Sequence, residues 1–319
     1  MTLYLTEDDV RQLLTMDDAL RAVEAAFRDQ GLGTAANVPR RRVRGEAALL
    51  HTMAAAMPSV GMVGMKAYTT TRRGGSFHVL LWDDATGRLL SVMEADWLSR
   101  VRTGAMSGVA TRLLAREDAK TVGIFGTGHQ APAQLEAVCA VRPVEQVLAW
   151  GRNQDRLAAF CRRMADQLQV PVEPAAGPQQ LVANSDILIT ITTAREPLFA
   201  GAWVRPGTHI NAAGSNVWMK REIDDETVAR SAVIVADDLD QARVEAGDLL
   251  WPMERGRVRW YQVHQLGDVA AGRVGRTGPE DITLFLSQGI ALADVAVGAA
   301  VYRRAVEAGL GRPLIPATE

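Results

Sequence analysis

The sequence predicts an α/β protein in which a doubly wound parallel sheet is inserted in a discontinuous α+β domain. Three observations support this fold class. The 319 residues exceed what one hydrophobic core usually serves. From residue 118 onward, short apolar strands alternate with helices, which is typical of a parallel sheet. A last amphipathic helix near 294–308 is expected to pack back on the N-terminal region, so one domain should span 117–288 and the other 1–116 with 289–319.

The N-terminal region is predicted to be one helix followed by antiparallel strands. Apolar residues recur at helical spacing through 6–30, and Gly31 follows as a stop signal. After residue 40, short apolar runs alternate with turn residues, and 83–87 has the composition of a hairpin turn. The strands predicted from these runs are 48–53, 65–70, 77–82 and 89–94.

A helix of small residues is predicted to precede the alternating strands and helices. Ser99 is its predicted N-cap and the helix should cover 100–115. Because its side chains have little bulk, another backbone or a ligand can approach it closely. The strands predicted beyond it are 121–125, 146–150, 187–192, 208–211 and 232–236, with helices at 130–141 and 155–167.

Composition and charge exclude several classes of protein. With 48% hydrophobic residues, 23% charged residues and a net charge of -2, the chain is an ordinary globular protein, and we expect no nucleic-acid or membrane partner. The N-terminus lacks the pattern of a signal peptide, and no apolar stretch reaches the roughly 20 residues that span a bilayer. Cys139 and Cys161 form neither a disulfide framework nor a metal site. We therefore expect a cytoplasmic protein that holds no metal ion.

The strongest local signal is Gly126-Thr127-Gly128-His129-Gln130-Ala131, a G-x-G-x-x-A motif between a predicted strand and a predicted helix. The first glycine allows a tight turn, the second lets a pyrophosphate approach the backbone, and the small Ala131 lets helix and strand pack closely. Amide groups at the helix start then face the anion. The motif predicts a dinucleotide site on a Rossmann-type sheet, bound by residues 126–130, with His129 at a variable, solvent-facing position.

The choice of cofactor in such a site is decided at the end of the second strand, which here reads Trp150-Gly151-Arg152-Asn153. Enzymes that use NAD place a carboxylate there to bind the ribose 2′-hydroxyl. This chain has none, and the guanidinium of Arg152 can bind a 2′-phosphate. The alternative is a solvated arginine at a helix N-terminus. We expect NADP, with NAD as the alternative, and we count Arg152, Asn153 and Thr192 among the cofactor contacts.

Together with Arg102-Thr103-Gly104-Ala105, the segment 122–131 resembles the ornithine cyclodeaminase/mu-crystallin family. Gly64-Met65-Lys66, the loop from 211 to 224 and the stretch 281–289 carry the same resemblance, which spans nearly the whole chain. The family includes ornithine cyclodeaminases, archaeal alanine dehydrogenases, cyclic ketimine reductases and related amino-acid or opine dehydrogenases. The resemblance implies a dinucleotide-binding domain, a dimer-forming sheet domain and a small substrate derived from amino-acid metabolism.

The resemblance also places Arg41, Lys66 and Arg102 around the carboxylate of the substrate. The chemistry agrees, because a buried carboxylate needs cationic or donor partners. Lys66 lies among apolar residues at the start of a predicted strand, where its charge needs a counter-ion. For Arg102 the alternative partner is the pyrophosphate of the cofactor, and the neighbouring Thr103 suits a phosphate oxygen.

The choice of Arg41 among four nearby arginines follows from the spacing in the family alone. Arg40, Arg42 and Arg44 lie in the same segment, and most of them must be solvated. If the segment is a strand, alternation places Arg42 and Arg44 on the face opposite Arg41.

Two positions depart from the family pattern. Asn216 stands where the cyclodeaminases carry an aspartate that resembles a proton acceptor, and an amide cannot take that proton. This departure argues against cyclodeamination but leaves hydride transfer intact, because the nicotinamide performs that chemistry. Leu286 replaces a lysine that is common in the family, and we have no physical account of that change.

The remaining polar residues of note are interpreted as structural. His51 and His78 lie in predicted strands and His264 in a predicted loop. The pair Asp237-Asp238 ends the strand 232–236 and is interpreted as the cap of the next helix rather than part of the cofactor crevice.

The sequence therefore predicts an oxidoreductase that reduces a cyclic ketimine carboxylate, of the pyrroline-2-carboxylate or piperideine-2-carboxylate type, with NAD(P)H. Arg41, Lys66 and Arg102 would hold the carboxylate, and Lys66 or a water would supply the proton. Two alternatives stay open. One is another chemistry of the family, either ornithine cyclodeamination or an alanine or ectoine-degradation type of dehydrogenation. The other is a cofactor-binding protein without turnover, of the mu-crystallin type.

Overall fold

The computed structural model describes residues 2–314 and divides into two compact units. The first unit comprises Met1–Thr103 and Ile290–Glu319, and the second unit comprises Gly104–Gly289. The chain passes into the second unit inside a helix and leaves it at a glycine. Within residues 2–314, no helix has both the length and the apolarity that crossing a bilayer requires.

The helices and strands are numbered in chain order across both units. The helices are α1 (Glu7–Leu13), α2 (Met16–Leu32), α3 (Asp96–Leu114), α4 (Ala131–Cys139), α5 (Gln154–Leu168), α6 (Pro178–Ala183), α7 (Asp225–Arg230), α8 (Leu239–Glu245), α9 (Gly247–Glu254), α10 (Leu266–Ala270) and α11 (Ala291–Ala308). The strands are β1 (Leu3–Leu5), β2 (Ala36–Arg44), β3 (Leu49–Met57), β4 (Met62–Thr71), β5 (Gly74–Asp83), β6 (Leu89–Glu94), β7 (Thr121–Phe125), β8 (Gln146–Trp150), β9 (Val172–Pro174), β10 (Ile187–Thr190), β11 (His209–Ala212), β12 (Val233–Ala236), β13 (Val263–Gln265), β14 (Thr283–Leu286) and β15 (Arg312–Pro313).

A mostly antiparallel sheet forms the first unit, in the order β15-β1-β6-β5-β4-β3-β2. Strands β2 to β6 form a meander, in which each strand pairs antiparallel with the next. Helix α11 packs against β2, β3, β4 and β5 and also against α2. The core of this unit lies between the sheet and these two helices, whose apolar residues are buried.

Alternation along β4 decides which of its side chains face this core. Met62, Gly64, Lys66 and Tyr68 are buried, and the residues between them are half-buried. A Cβ atom on Gly64 would lie 2.7 Å from Cγ2 of Val295, so the glycine allows α11 to approach β4 closely. The buried face of β4 that carries Lys66 is therefore covered by the start of α11.

A parallel sheet forms the second unit, in the order β13-β12-β14-β11-β10-β7-β8-β9. Its inner strands β10, β11, β12 and β14 are fully buried because both faces of the sheet are covered. In β10, Ile187 and Ile189 pack in a core with residues of α4 and α5, whereas Leu188 packs in a second core with residues of α6 to α9. This arrangement confirms the predicted α/β class with a doubly wound parallel sheet.

The order of the strands reverses at β7, which pairs with β8 on one side and with β10 on the other. In sheets of this kind the crevice at the carboxyl ends of the strands beside the reversal is where dinucleotides bind. The loops that follow β7, β8, β10 and β11 meet at that edge of the sheet.

Local signals located several elements well. Strands β7 and β8 have the predicted bounds. The hairpin turn between β5 and β6 is confirmed, with the Thr86 amide donating to Asp83 Oδ1 at 2.8 Å and Gly87 at a φ of 68°. Asp238 is the N-cap of α8, as predicted, since its carboxylate accepts from the amide of Gln241.

Other predictions were wrong. The single helix 6–30 is two helices, because the extended backbone at Leu14 ends α1 and the Thr15 side chain caps α2 by accepting from the Asp18 amide. Ser99 is not an N-cap but lies inside α3, which begins at Asp96. His264 lies in β13 rather than in a loop, and the predicted strands omit β14, which lies within the family stretch 281–289 and pairs with β11 and β12.

Candidate active site

The loop between β7 and α4 contains two glycines that the structure distinguishes. Gly126 has a φ of 109°, and a Cβ atom there would lie 2.4 Å from the carbonyl oxygen of Ile191, so the fold itself requires glycine. At Gly128 a Cβ atom would meet no atom within 4 Å, so nothing within the chain requires glycine. The close approach of a ligand to the backbone would require it, at the N-terminus of the nine-residue helix α4.

Close packing behind this loop accounts for its other small residues. Ala131 is fully buried and its amide donates to the Gly128 carbonyl at 3.2 Å. A Cβ atom on Gly104 would lie 2.2 Å from the carbonyl oxygen of Ala133, so α3 and α4 touch through their backbones. The small residues of α3, which were predicted to allow a backbone or a ligand to approach closely, allow α4 to pack against α3.

The other predicted cofactor residues lie around the same edge of the second unit. Thr127 and Gln130 are half-buried, and His129 is exposed. Arg152 follows β8 and is exposed, and the neighbouring Asn153 caps α5 by accepting from the Arg156 amide at 2.9 Å. Asn153 therefore has a structural role that is independent of any ligand.

Thr192, which follows β10, donates hydrogen bonds to Glu222, a residue for which the sequence predicted no role. Its amide and its hydroxyl donate to Oε1 of Glu222 at 2.6 and 2.7 Å. Burial and the nearby charge of Asp248 raise the pKa of Glu222, the hydrogen bonds from Thr192 and Thr190 oppose them, and the resulting pKa is about 7. The family stretch 221–224 pointed to this segment, but no local pattern indicated the partners of the carboxylate.

A buried ionic cluster lies in the first unit, between β4, α3 and α11. Oδ1 of Asp294 accepts from Nζ of Lys66 at 3.0 Å and from Nε of Arg102 at 2.8 Å. The side chains of Lys66 and Asp294 are 2% and 0% exposed, and that of Arg102 is 7% exposed. The structure thus brings together two of the three residues predicted to bind a carboxylate and supplies the counter-ion that Lys66 needs. Among residues 2–314, no group of His, Cys, Asp and Glu is arranged to hold a metal ion.

The electrostatics of this cluster are dominated by burial. Burial lowers the pKa of Lys66 to about 7. Asp294 opposes that shift, whereas the positive charges of Arg102 and Arg40 add to it. The ammonium group therefore lies among one carboxylate and two guanidinium groups, and its proton is held weakly at neutral pH.

The arginine of β2 that belongs to this cluster is Arg40, and the choice of Arg41 requires correction. Arg41 is exposed and pairs with Thr52, whereas Arg40 is 5% exposed. A register shift between Val38 and Arg41 turns the segment at this point. Alternation separates Arg40 from Arg41 correctly, but it does not tell which of them faces the core.

Aromatic rings flank the ammonium group of Lys66. Tyr68 stacks between His51 and Phe77, at centroid distances of 4.2 and 5.0 Å. Nζ of Lys66 lies 5.6 Å from the Tyr68 ring and 5.7 Å from the Phe77 ring. Burial lowers the pKa of His51 to about 4, so this ring is neutral at physiological pH.

A family model described as the ornithine cyclodeaminase/mu-crystallin family matches residues 1–309. The chain belongs to this family. The solved structure of Thermococcus litoralis Delta(1)-pyrroline-2-carboxylate reductase in complex with NADH and L-proline is 34% identical, with a TM-score of 0.93 over 98% of this chain and 100% of the other. An archaeal alanine dehydrogenase dimer with bound NAD is 32% identical, with a TM-score of 0.92 over 99% of each chain. A Delta(1)-pyrroline-2-carboxylate reductase of Bacillus cereus is 36% identical over 74% of this chain and 73% of its own length.

The two positions that were predicted to depart from the family pattern, Asn216 and Leu286, both lie in the second unit. Asn216 is half-buried in the loop that follows β11, at the carboxyl edge of the second sheet. Leu286 is fully buried at the end of β14, between β11 and β12. A lysine at 286 would need a partner for its charge in this apolar core, and leucine needs none.

Proposed function

We propose that the protein is an oxidoreductase that reduces the C=N bond of cyclic ketimine carboxylates with a nicotinamide cofactor. The pyrroline-2-carboxylate and piperideine-2-carboxylate type is the substrate class. The observation that carries this proposal is the buried Lys66 ammonium, which shares the carboxylate of Asp294 with Arg102 and also feels the positive charge of the buried Arg40. Two relatives that are named for the reduction of pyrroline-2-carboxylate support it.

The cluster suits the two requirements of this reaction. The substrate carboxylate needs positive partners in a buried site, and the guanidinium groups of Arg40 and Arg102 can supply them. Reduction of the C=N bond adds a hydride to its carbon and a proton to its nitrogen. The Lys66 ammonium, with a pKa of about 7, is the proton donor that we assign to that nitrogen.

The second unit suits the cofactor, which supplies the hydride when it is bound. The open space at Gly128 allows a pyrophosphate to lie against the backbone at the start of α4. Two of the solved relatives hold NADH or NAD. We assign binding of the pyrophosphate to residues 126–130 and binding of the adenosine ribose to Arg152.

The activity is tested with a panel of substrates followed at 340 nm. We expect oxidation of NAD(P)H with pyrroline-2-carboxylate or piperideine-2-carboxylate, and little proline from ornithine, because Asn216 cannot act as the base that cyclodeamination needs at each stage. Pyruvate with ammonia tests for an alanine dehydrogenase. Proline formation from ornithine at a rate comparable to ketimine reduction would contradict the proposal. Cofactor binding without turnover of any of these compounds would favour a binding protein of the mu-crystallin type.

For the cofactor we propose NADP(H), on the basis of Arg152 and the lack of a carboxylate in 151–153. Arg152→Ala should weaken the binding of NADPH by about 1.5–3 kcal/mol, the range for hydrogen bonds to charged groups, and should hardly affect NADH. Fluorescence titration of both cofactors measures this. The control is Arg162→Ala, an exposed arginine farther along α5. Tighter binding of NADH than of NADPH to the unmodified protein would exclude the preference.

We also propose a homodimer, as in the archaeal alanine dehydrogenase. Strand β2 is at the edge of the first sheet, and its Val38 and Val43 are 49% and 64% exposed. An edge strand exposes unpaired backbone groups, and proteins usually cover such an edge. Light scattering coupled to gel filtration tests the assembly.

A further inference from the structure

Glu222 is a fully buried carboxylate that ties two loops of the second unit together. Its Oε1 accepts from the amide and the hydroxyl of Thr192, and its Oε2 accepts from the Thr190 hydroxyl at 2.9 Å and the Gly214 amide at 2.7 Å. An ionised carboxylate has about four acceptor sites, and four donors therefore satisfy them. The bonds join the residues that follow β10 to the residues that follow β11.

The backbone of Glu222 is itself held in place. Oδ1 of Asp248, in the first turn of α9, accepts from the amides of Glu222 and Ile223 at 2.7 and 3.0 Å. The Glu222 carbonyl accepts from the Leu198 amide at 2.9 Å. These hydrogen bonds fix the backbone of Glu222, and its carboxylate in turn holds the loops after β10 and β11 in position.

Gly214, in the loop after β11, lies directly against the Glu222 carboxylate. A Cβ atom at this position would lie 2.4 and 2.5 Å from the two carboxylate oxygens of Glu222 and 2.5 Å from the Thr192 amide nitrogen. No side chain fits there. The position of the Glu222 carboxylate therefore requires glycine at 214.

The two tied loops belong to one half of the predicted cofactor site. In a sheet with this strand order, the pyrophosphate lies at the end of β7 and the adenosine ribose at the end of β8. The nicotinamide half then falls beyond the reversal, over the ends of β10 and β11. Those are the ends that Glu222 joins, and the four hydrogen bonds of its carboxylate all go to residues at these two ends rather than to the loops after β7 and β8.

We propose that Glu222 is a positioning residue that shapes the nicotinamide half of the cofactor site by tying the end of β10 to the end of β11. The inference rests on the proposed use of a nicotinamide cofactor. It also gives Thr192 a different role from the predicted cofactor contact. The Thr192 hydroxyl donates to Glu222 and accepts from the Ala194 amide at 3.0 Å, so it holds the loop.

The test compares the binding of a ligand that has the nicotinamide half of the cofactor with the binding of one that lacks it. Glu222→Gln must turn its amide NH₂ toward either the Thr192 amide or the Gly214 amide, and neither can accept a hydrogen bond, so one side of the tie is broken with little change in size. We expect the Kd for NADPH to rise at least tenfold, while the Kd for 2′-phospho-ADP-ribose, which lacks the nicotinamide, stays within twofold of the wild-type value. The matched control is Glu226→Gln, an exposed glutamate on α7, which should change neither Kd.

A second variant covers the case in which Glu222→Gln does not fold. Thr190→Val removes a single donor to Oε2 and should produce the same selective loss to a smaller extent, at least threefold. An equal loss of both ligands, or no loss of either, would overturn the inference for Glu222. Failure of the wild-type protein to bind either ligand would instead contradict the proposed function, and this inference with it.

Discussion

Gly128→Val should lose at least a hundredfold in affinity for NAD(P)H and remain folded. A Cβ atom at this position meets no atom of the chain within 4 Å, so the valine causes no clash in the free protein. It fills the space that a pyrophosphate would take against the backbone. A substitution at such an exposed position changes the stability by about 0.5 kcal/mol or less, which corresponds to a shift of about 1–2 °C in Tm.

The neighbouring glycine is the matched control. Gly126→Val should destabilise the protein itself, because the φ of 109° is strained for a branched residue and the Cβ atom would lie 2.4 Å from the Ile191 carbonyl oxygen. Fluorescence titration measures the affinities, and thermal unfolding measures the stabilities. Equal affinity of wild type and Gly128→Val for NADPH would falsify the location of the pyrophosphate.

Lys66→Met should lower the kcat for ketimine reduction by about 10²–10⁴-fold, the usual contribution of a general acid. The protonated amine is the donor, and burial lowers the pKa of Lys66 to about 7. The wild-type rate should therefore be full below that pKa and fall as the pH rises through it. The variant should lack this basic limb. Its stability should change little, since a buried cation is replaced by an apolar side chain while Asp294 keeps Arg102 as its partner.

Three further variants separate the contributions to this effect. Asp294→Asn removes the charge that raises the pKa of Lys66, so the basic limb should move to lower pH. Arg40→Ala should raise the KM for the substrate carboxylate, whereas Arg41→Ala should not, since Arg41 is exposed. Steady-state rates across pH 5–9 measure all of them. A Lys66→Met enzyme with the wild-type rate, or equal losses in Arg40→Ala and Arg41→Ala, would contradict the assignment.

The sequence predicted the second unit better than the first, for a physical reason. The bounds of β7 and β8 and the glycine loop depend on patterns within a few residues. The need of Lys66 for a counter-ion also follows from its apolar neighbours. The identity of that counter-ion does not, because Asp294 is 228 residues away and meets Lys66 only when α11 packs on β4.

The remaining errors at the candidate site have similar causes. The choice between Arg40 and Arg41 depends on which face of β2 is buried, and in a segment of consecutive arginines no apolar residue marks that face. The role of Glu222 depends on bonds to residues as much as 32 positions away. Such contacts are properties of the folded chain and leave no local pattern.

The place of β14 in the second sheet has a consequence for synthesis of the chain. Strand β14 lies between β11 and β12, yet it is made after both of them. Until residue 286 has left the ribosome, the two earlier strands lack their common neighbour, and their open edges are exposed to wrong pairing. The first unit needs residues that are synthesised even later, because α11 completes its core and brings Asp294 to Lys66. A fragment that stops before β14 therefore cannot complete the second sheet, and one that stops before α11 cannot complete the core of the first unit.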